Sequence, residues 1–178
     1  MAHFVRKRLD QFDSTIAHWS AQHSIALLRI GLGIVYLWFG VLKFFPGQSS
    51  AEDLAARTMD TLTFGLVPDA AAMPMLALLE CAIGLGFLTG RFMRFTLLLM
   101  AFQMVGALSP LILFPGDVFS GDLYAPTLEG QYIIKNLVLI GGALVIGATV
   151  RGGRLVANPQ RDGDERRSYA GRSIQQPV

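Results

Sequence analysis

Cysteine is all but missing from this chain. Cys81 is the only one among 178 residues, so neither an intramolecular disulfide nor a CxxC redox pair can form. A membrane thiol oxidase that works through its own dithiol is thereby excluded, and Cys81 reads as a small apolar residue packed in a helix. Histidine is nearly as scarce. His3, His18 and His23 all precede the first long apolar stretch. No pair of intramembrane histidines can hold a haem, and no cysteine cluster can hold an iron–sulfur centre. Charged residues make up only 16% of the chain, against about 25% in an average soluble domain. The net charge is +2, and no basic face is interleaved with aromatics, so nothing points to a nucleic-acid partner. Alternation with period two is also missing, which argues against a β-barrel.

What the chain has instead is apolar length. Hydrophobic residues account for 52% of it, concentrated in four stretches: Ile25 to Phe45, Ala71 to Leu88, Phe92 to Leu113 and Tyr132 to Val150. Each is near the roughly 17–25 residues that carry a helix across the hydrocarbon. In lipid every backbone polar group must bond within its own segment, so helices are the natural spanning form. The expected fold is therefore all-α, an integral membrane bundle of four transmembrane helices spanning residues 25–150. Before it, Val5, Leu9, Phe12, Ile16 and Trp19 recur at spacings of four, three, four and three, one face of a helix. Residues 1–24 thus read as an amphipathic segment that lies in the headgroup layer or packs on the bundle end. Ser50, with Asp53 three residues on, resembles a capping box that opens a short helix through about Leu62. The loop from Pro115 to Gly130 reads as irregular. Residues 151–178 read as a disordered basic tail, able to favour anionic lipid.

Lysine and arginine set the expected orientation. Arg6, Lys7, Arg8, Arg91, Arg94, Arg151, Arg154, Arg161, Arg166, Arg167 and Arg172 share one side if there are four spans. The opposite loops carry only Arg57, against Glu52, Asp53, Asp60, Asp69, Asp117, Asp122 and Glu129. Both termini are therefore expected in the cytoplasm, with the chain multi-pass in the plasma (inner) membrane. The first apolar stretch is too long for a cleaved signal peptide and carries Arg29 and Lys43.

Arg29, Lys43, Glu80 and Lys135 lie in or at the edge of apolar stretches. A charge at the bilayer centre costs about 2.5–3.5 kcal/mol on insertion scales, and a long side chain near a helix end avoids most of that by snorkelling. Arg29 and Lys43 are close enough to their ends to do so. Glu80 stands about nine residues in, roughly 13 Å along the helix, so its carboxylate must be paired, protonated or facing a wet cavity. Arg29, Gly33, Tyr36, Gly40 and Lys43 form one stripe of the first span, where the glycines admit another backbone. Ala77, Glu80 and Gly84 share a face in the second span. Gln103, Gly106 and Pro110 lie together in the third, beside Ser109. Lys135, Leu139 and Gly142 align in the fourth, below Glu129 and Tyr132. Because the helices alternate in direction, Lys43, Glu80, Gln103, Ser109, Glu129, Lys135 and Asn136 all fall in the outer half or near the midplane. The expectation is one polar pocket there, with Glu80 paired to Lys43 or Lys135.

These residues resemble the DoxX-like membrane proteins. The likeness is carried by LLRIGLGIVYLWFGVLKFFPG (Leu27 to Gly47), LLECAIGLGFLTGR (Leu78 to Arg91) and EGQYIIKNLVLIGGALVIGA (Glu129 to Ala148). Within them stand Arg29, Gly33, Gly40-Val41-Leu42-Lys43, Glu80, Gly84 and Lys135-Asn136. The resemblance implies a four-helix membrane protein. Some relatives are associated with quinone-linked sulfur oxidation or with membrane complexes that handle oxidative stress, and many have no assigned activity. The resemblance leaves the cofactor open, with a quinone as the candidate and a membrane or peripheral oxidoreductase as the candidate partner. Two functions stay open: a redox-associated subunit whose pocket takes a quinone, and a non-enzymatic scaffold or small-solute transporter, acting alone or as a homo-oligomer. Fold is fixed better than function by such a likeness.

The charge asymmetry gives a direct test. Alkaline phosphatase fused after Val178 should be inactive, and the same enzyme inserted in the loop before Ala71 should be active. The reverse pattern would refute the orientation.

Overall fold

A computed structural model describes residues 2–49, 51–121, 125–153 and 155, with side chains from Phe12 onward except that of Asp69. Among the described residues there is no strand, only an isolated bridge between Phe119 and Pro126. Helix α1 runs from Ala2 to Leu42, α2 from Glu52 to Thr63 and α3 from Asp69 to Thr89. Helix α4 spans Met93–Leu108, α5 Pro110–Leu113, α6 Pro115–Val118 and α7 Leu128–Thr149. Four segments are long and apolar enough to cross a membrane: Phe12–Leu42, Ala70–Thr89, Met93–Leu113 and Leu128–Thr149. The protein is an all-α membrane bundle.

The expected spans and the helices coincide within a few residues, with two differences. The first is that α1 has no break near residue 25, where the sequence reading parts an N-terminal segment from the first span. No proline or glycine lies between Ala2 and Ile30, and sharp kinks need such a cause. Phe12, Ile16 and Trp19 are exposed on this extension. Val5 and Leu9 fall outside the described side chains, as do Arg6, Lys7 and Arg8. The second is that α7 starts four residues early. Thr127 explains it: its Oγ1 accepts the Gly130 N–H at 3.0 Å, the bond an N-cap makes to a free N–H of the first turn.

The short helix after the first span is present, but its start differs from the expectation. Ser50 lies outside the described residues, and the N-cap position is held by Ala51, which makes no side-chain cap bond. The Glu52 carboxylate instead accepts the Gly47 N–H at 2.8 Å. The third span is interrupted at Ser109 because Pro110 has no N–H to continue the ladder. Ser109 Oγ donates to the Gly106 carbonyl at 2.7 Å, taking up one of the acceptors left at the end of α4.

The packing centres on α1 against α3. Leu32, Tyr36, Ile83, Phe87, Met100, Met104 and Ile146 form the main core. Leu54, Val118 and Ile133 form a second cluster, which ties α2, α6 and the start of α7 together. Glycine sets how near α1 and α3 come. A Cβ on Gly84 would lie 2.6 Å from the Leu37 nitrogen, and one on Gly40 would lie 3.0 Å from the Cys81 nitrogen. A Cβ on Gly33 would lie 2.7 Å from Leu88. The backbones therefore meet with no room for a side chain between them, the small-residue contact that suits helices in lipid.

Gly84→Ala should accordingly cost about 1–3 kcal/mol, as overpacking does. Gly31→Ala, on the same helix as Gly33 but with open space around it, should be neutral or slightly stabilising through helix propensity. Unfolding of the two variants in mixed micelles checks this, and equal effects would refute the close crossing.

Candidate functional site

The tight α1–α3 crossing has a polar consequence. Gly33, Tyr36, Gly40 and Lys43 succeed one another on one stripe of α1, Lys43 falling in the turn just past Leu42. With α3 seated on the two glycines, Tyr36 and Lys43 face it directly. Glu80 is the twelfth of the 21 residues of α3, the middle of the span, and is only 7% exposed. Lys43 Nζ donates to Glu80 Oε2 at 2.7 Å. The second carboxylate oxygen accepts Gln103 Nε2 at 3.2 Å. Gln103 Oε1 in turn accepts the Tyr36 hydroxyl at 3.1 Å. One hydrogen-bonded chain, Tyr36–Gln103–Glu80–Lys43, thus joins α1, α3 and α4.

Each link has a local reason. Gln103 projects from α4 towards α3 because Gly86 admits Thr96 two turns below, where a Cβ would collide with the Thr96 side chain. Tyr36 is buried against the Phe87 ring, with centroids 6.3 Å apart. The Lys43 side chain is 14% exposed, so this end of the chain reaches towards the bundle surface. Every buried side-chain nitrogen and oxygen among the described residues has a partner. An ammonium and a carboxylate this enclosed cost several kcal/mol to desolvate, and the pairing and extra hydrogen bonds offset that cost. Chemically, the arrangement offers a carboxylate, an ammonium, an amide and a phenol in line, groups able to hold a proton or to bond a carbonyl oxygen.

The other polar residues marked by sequence make no hydrogen bond to this chain among the described residues. Arg29 is half-buried with its guanidinium against Gly90. Gly90 is the C-cap of α3 at φ 68°, and its N–H donates to the Gly86 carbonyl. A cation there faces the negative end of the α3 dipole. Ser109 bonds its own helix, as described above. Glu129, Tyr132, Lys135 and Asn136 all stand on α7, and among the described residues none of them hydrogen-bonds to the Glu80 chain. The partner of Glu80 is Lys43. Lys135 is exposed, with its ammonium 5.0 Å from the Tyr132 ring centroid. One feature escaped the sequence reading: Arg57 pairs with Asp117 and lies over the Phe114 ring at 5.1 Å. Both charges were placed on the outer loops, but no periodicity relates a residue of α2 to one of α6.

A double-mutant cycle tests whether Lys43 and Glu80 act as a pair. Lys43→Met alone should cost about 3–5 kcal/mol by stranding a buried carboxylate, whereas Lys43→Met with Glu80→Gln should recover most of that loss. Additive costs, read by thermal unfolding in detergent, would refute the pairing.

Residues 24–114 match the DoxX family. No curated protein and no solved structure matches the chain. The matched segment contains Tyr36, Lys43, Glu80 and Gln103, and the fourth span lies beyond it. The match covers just over half of the sequence, and the four apolar helices agree with a membrane bundle: the chain is an integral membrane protein of the DoxX family.

Proposed function

We propose that the protein is a redox- or quinone-associated membrane subunit whose polar site, in the outer half of the bundle, centres on Lys43, Glu80 and Gln103. The orientation taken is that expected from the basic residues, with both termini cytoplasmic. The observation that carries the reading is the 2.7 Å Lys43–Glu80 pair at mid-span. A mid-span carboxylate is costly to keep in a membrane and marks function by default. A quinone head is an apolar ring with two carbonyl acceptors and suits an apolar slot with a few donors. Lys43 supplies a donor at the more open end of the chain. Glu80 and Tyr36 supply groups that can pass a proton along it. The residues offer no redox centre of their own, so electrons would be carried by the bound molecule or by a partner oxidoreductase.

One observation favours a second reading. The network is complete without a ligand, since each buried polar atom already has a partner. This suits a non-enzymatic scaffold in which Glu80 and Lys43 lock three helices together and a soluble or membrane enzyme docks on the bundle.

Mass spectrometry of quinones retained after gentle extraction of the full chain separates the two. The wild type should retain quinone, and Glu80→Gln and Lys43→Met should each reduce the retained amount about tenfold or more, the worth of a charge-assisted hydrogen bond. Wild-type retention in Glu80→Gln would remove Glu80 from the site. A wild type free of quinone but holding a partner protein would establish the scaffold.

A further inference from the structure

Lys135 stands on the stripe of α7 that contains Leu139, Gly142 and Ile146. The lower part of that stripe packs against α1. A Cβ on Gly142 would lie 3.3 Å from Leu28 and 3.4 Å from Leu32, and Ile146 shares a core with Leu32. The matching stripe of α1 is Leu28, Leu32, Val35 and Phe39, at spacings of four, three and four. Seven residues beyond the Leu32–Gly142 contact, roughly 10 Å along either helix, stand Phe39 on α1 and Lys135 on α7. At that level neither stripe is covered. Val35 is 38% and Phe39 47% exposed, and Lys135 is exposed. Meanwhile Ile133, on the opposite face of α7, is buried with Val118 and Leu54. A Cβ on Gly130 would strike the Val118 carbonyl. Helix α7 is thus held against α1 near Gly142 and against α6 near Gly130, and between these contacts Val35, Phe39 and Lys135 are left exposed.

The result is an uncovered face at the α1–α7 boundary, with apolar Val35 and Phe39 on one helix and one cation on the other. Ile134, Leu137 and Val138, around Lys135, are exposed as well, so this surface meets hydrocarbon. Among the described residues Lys135 has no carboxylate partner, only the Tyr132 ring one turn towards the start of α7. Its ammonium therefore snorkels towards the nearer membrane interface. What that position lacks is an anion, and a neutral ring cannot supply one. We propose that this face at the α1–α7 boundary is a binding site for an anionic phospholipid, with its phosphate on Lys135 and an acyl chain along Val35 and Phe39. The site borders the Lys43–Glu80 chain, since Lys43 Nζ also donates to the Phe39 carbonyl at 3.5 Å, but it uses the Phe39 side chain and Lys135 and does not depend on the quinone reading.

The test uses the full chain in vesicles of four parts phosphatidylcholine to one part phosphatidylglycerol. Spin-labelled forms of each lipid report the fraction held at the protein surface. The wild type should hold phosphatidylglycerol severalfold in preference to phosphatidylcholine. Lys135→Met should remove most of that preference, and Lys135→Arg should keep it. Phe39→Ala should weaken retention of phosphatidylglycerol with Lys135 intact. The proposal is overturned if Lys135→Met keeps the wild-type preference, which would assign it to the basic residues outside the spans. It is equally overturned if the wild type shows no preference. A change of oligomeric state in Lys135→Met at unchanged lipid selectivity would also overturn it, since a second copy would then cover this face.

Discussion

A carboxylate at the middle of a membrane helix constrains everything near it. Glu80 cannot reach water along α3, and no charge on α3 itself lies within a turn of it. The compensating ammonium has to come from another helix, and that helix must approach closely enough for a lysine to make direct contact. Lys43 meets this requirement from the turn at the end of α1, reaching back into the span to a distance of 2.7 Å. Gln103 takes the other oxygen, so α4 is bound to the same point. The three helices are thus held by one group. Replacing it with an apolar residue of similar volume could stabilise the bundle, as happens with other buried ion pairs. That Glu80 persists at such a cost is the physical reason for reading it as more than a packing element.

The glycines and the polar chain require each other. Between helices in lipid there is little hydrophobic drive, and close packing and hydrogen bonds decide which faces meet. Gly33 and Gly40 on α1 and Gly84 on α3 bring the backbones into contact. Without that approach Lys43 and Tyr36 would stand off from Glu80 and Gln103 by the width of a side chain. Without the ion pair the glycines would give a flexible contact with no fixed register. Helix α7 illustrates the opposite case. It contributes no hydrogen bond to the chain, presents bulky Leu139, Ile140 and Ile146 to the core, and meets α1 at Gly142. At the level of Lys135 the facing residues Val35 and Phe39 of α1 and Lys135 itself are exposed.

Much of this was readable from residue spacing. The stripe Arg29, Gly33, Tyr36, Gly40 and Lys43 follows the helical period, and the alternating directions of the spans bring Lys43, Glu80 and Gln103 to similar depth. The period gives a face but not which neighbour that face meets. Lys43 and Lys135 were therefore equal candidates for Glu80 until packing separated them. Depth alone also drew Ser109, Glu129 and Asn136 towards the same site, although Ser109 bonds its own helix and the other two stand on α7. The continuity of α1 was hidden by its polar first half, since hydropathy marks where lipid begins and not where a helix does. Thr127 was legible in principle as a helix cap before Leu128, whereas the contact of Gly86 with Thr96 carries no signal beyond the presence of a glycine. The Arg57–Asp117 pair depends on the path of the chain between α2 and α6, which no local pattern encodes.

The family match ends at residue 114, and the polar chain is complete before that point. Tyr36, Lys43, Glu80 and Gln103 satisfy one another using α1, α3 and α4 alone. Helix α7 can therefore shift, tilt or change its contacts without leaving any member of the network unpaired. The reverse does not hold. Moving α1 towards α3 meets backbone, and moving it away stretches the 2.7 Å pair. The three-helix unit is stiff because its polar and steric terms oppose displacement in both directions. The fourth helix is held by side-chain packing of Leu139, Ile140 and Ile146 on the core and, at its start, by the Thr127 and Gly130 contacts with Val118. Any motion that opens the bundle sideways to lipid should then occur at the α1–α7 boundary and leave the Glu80 chain intact.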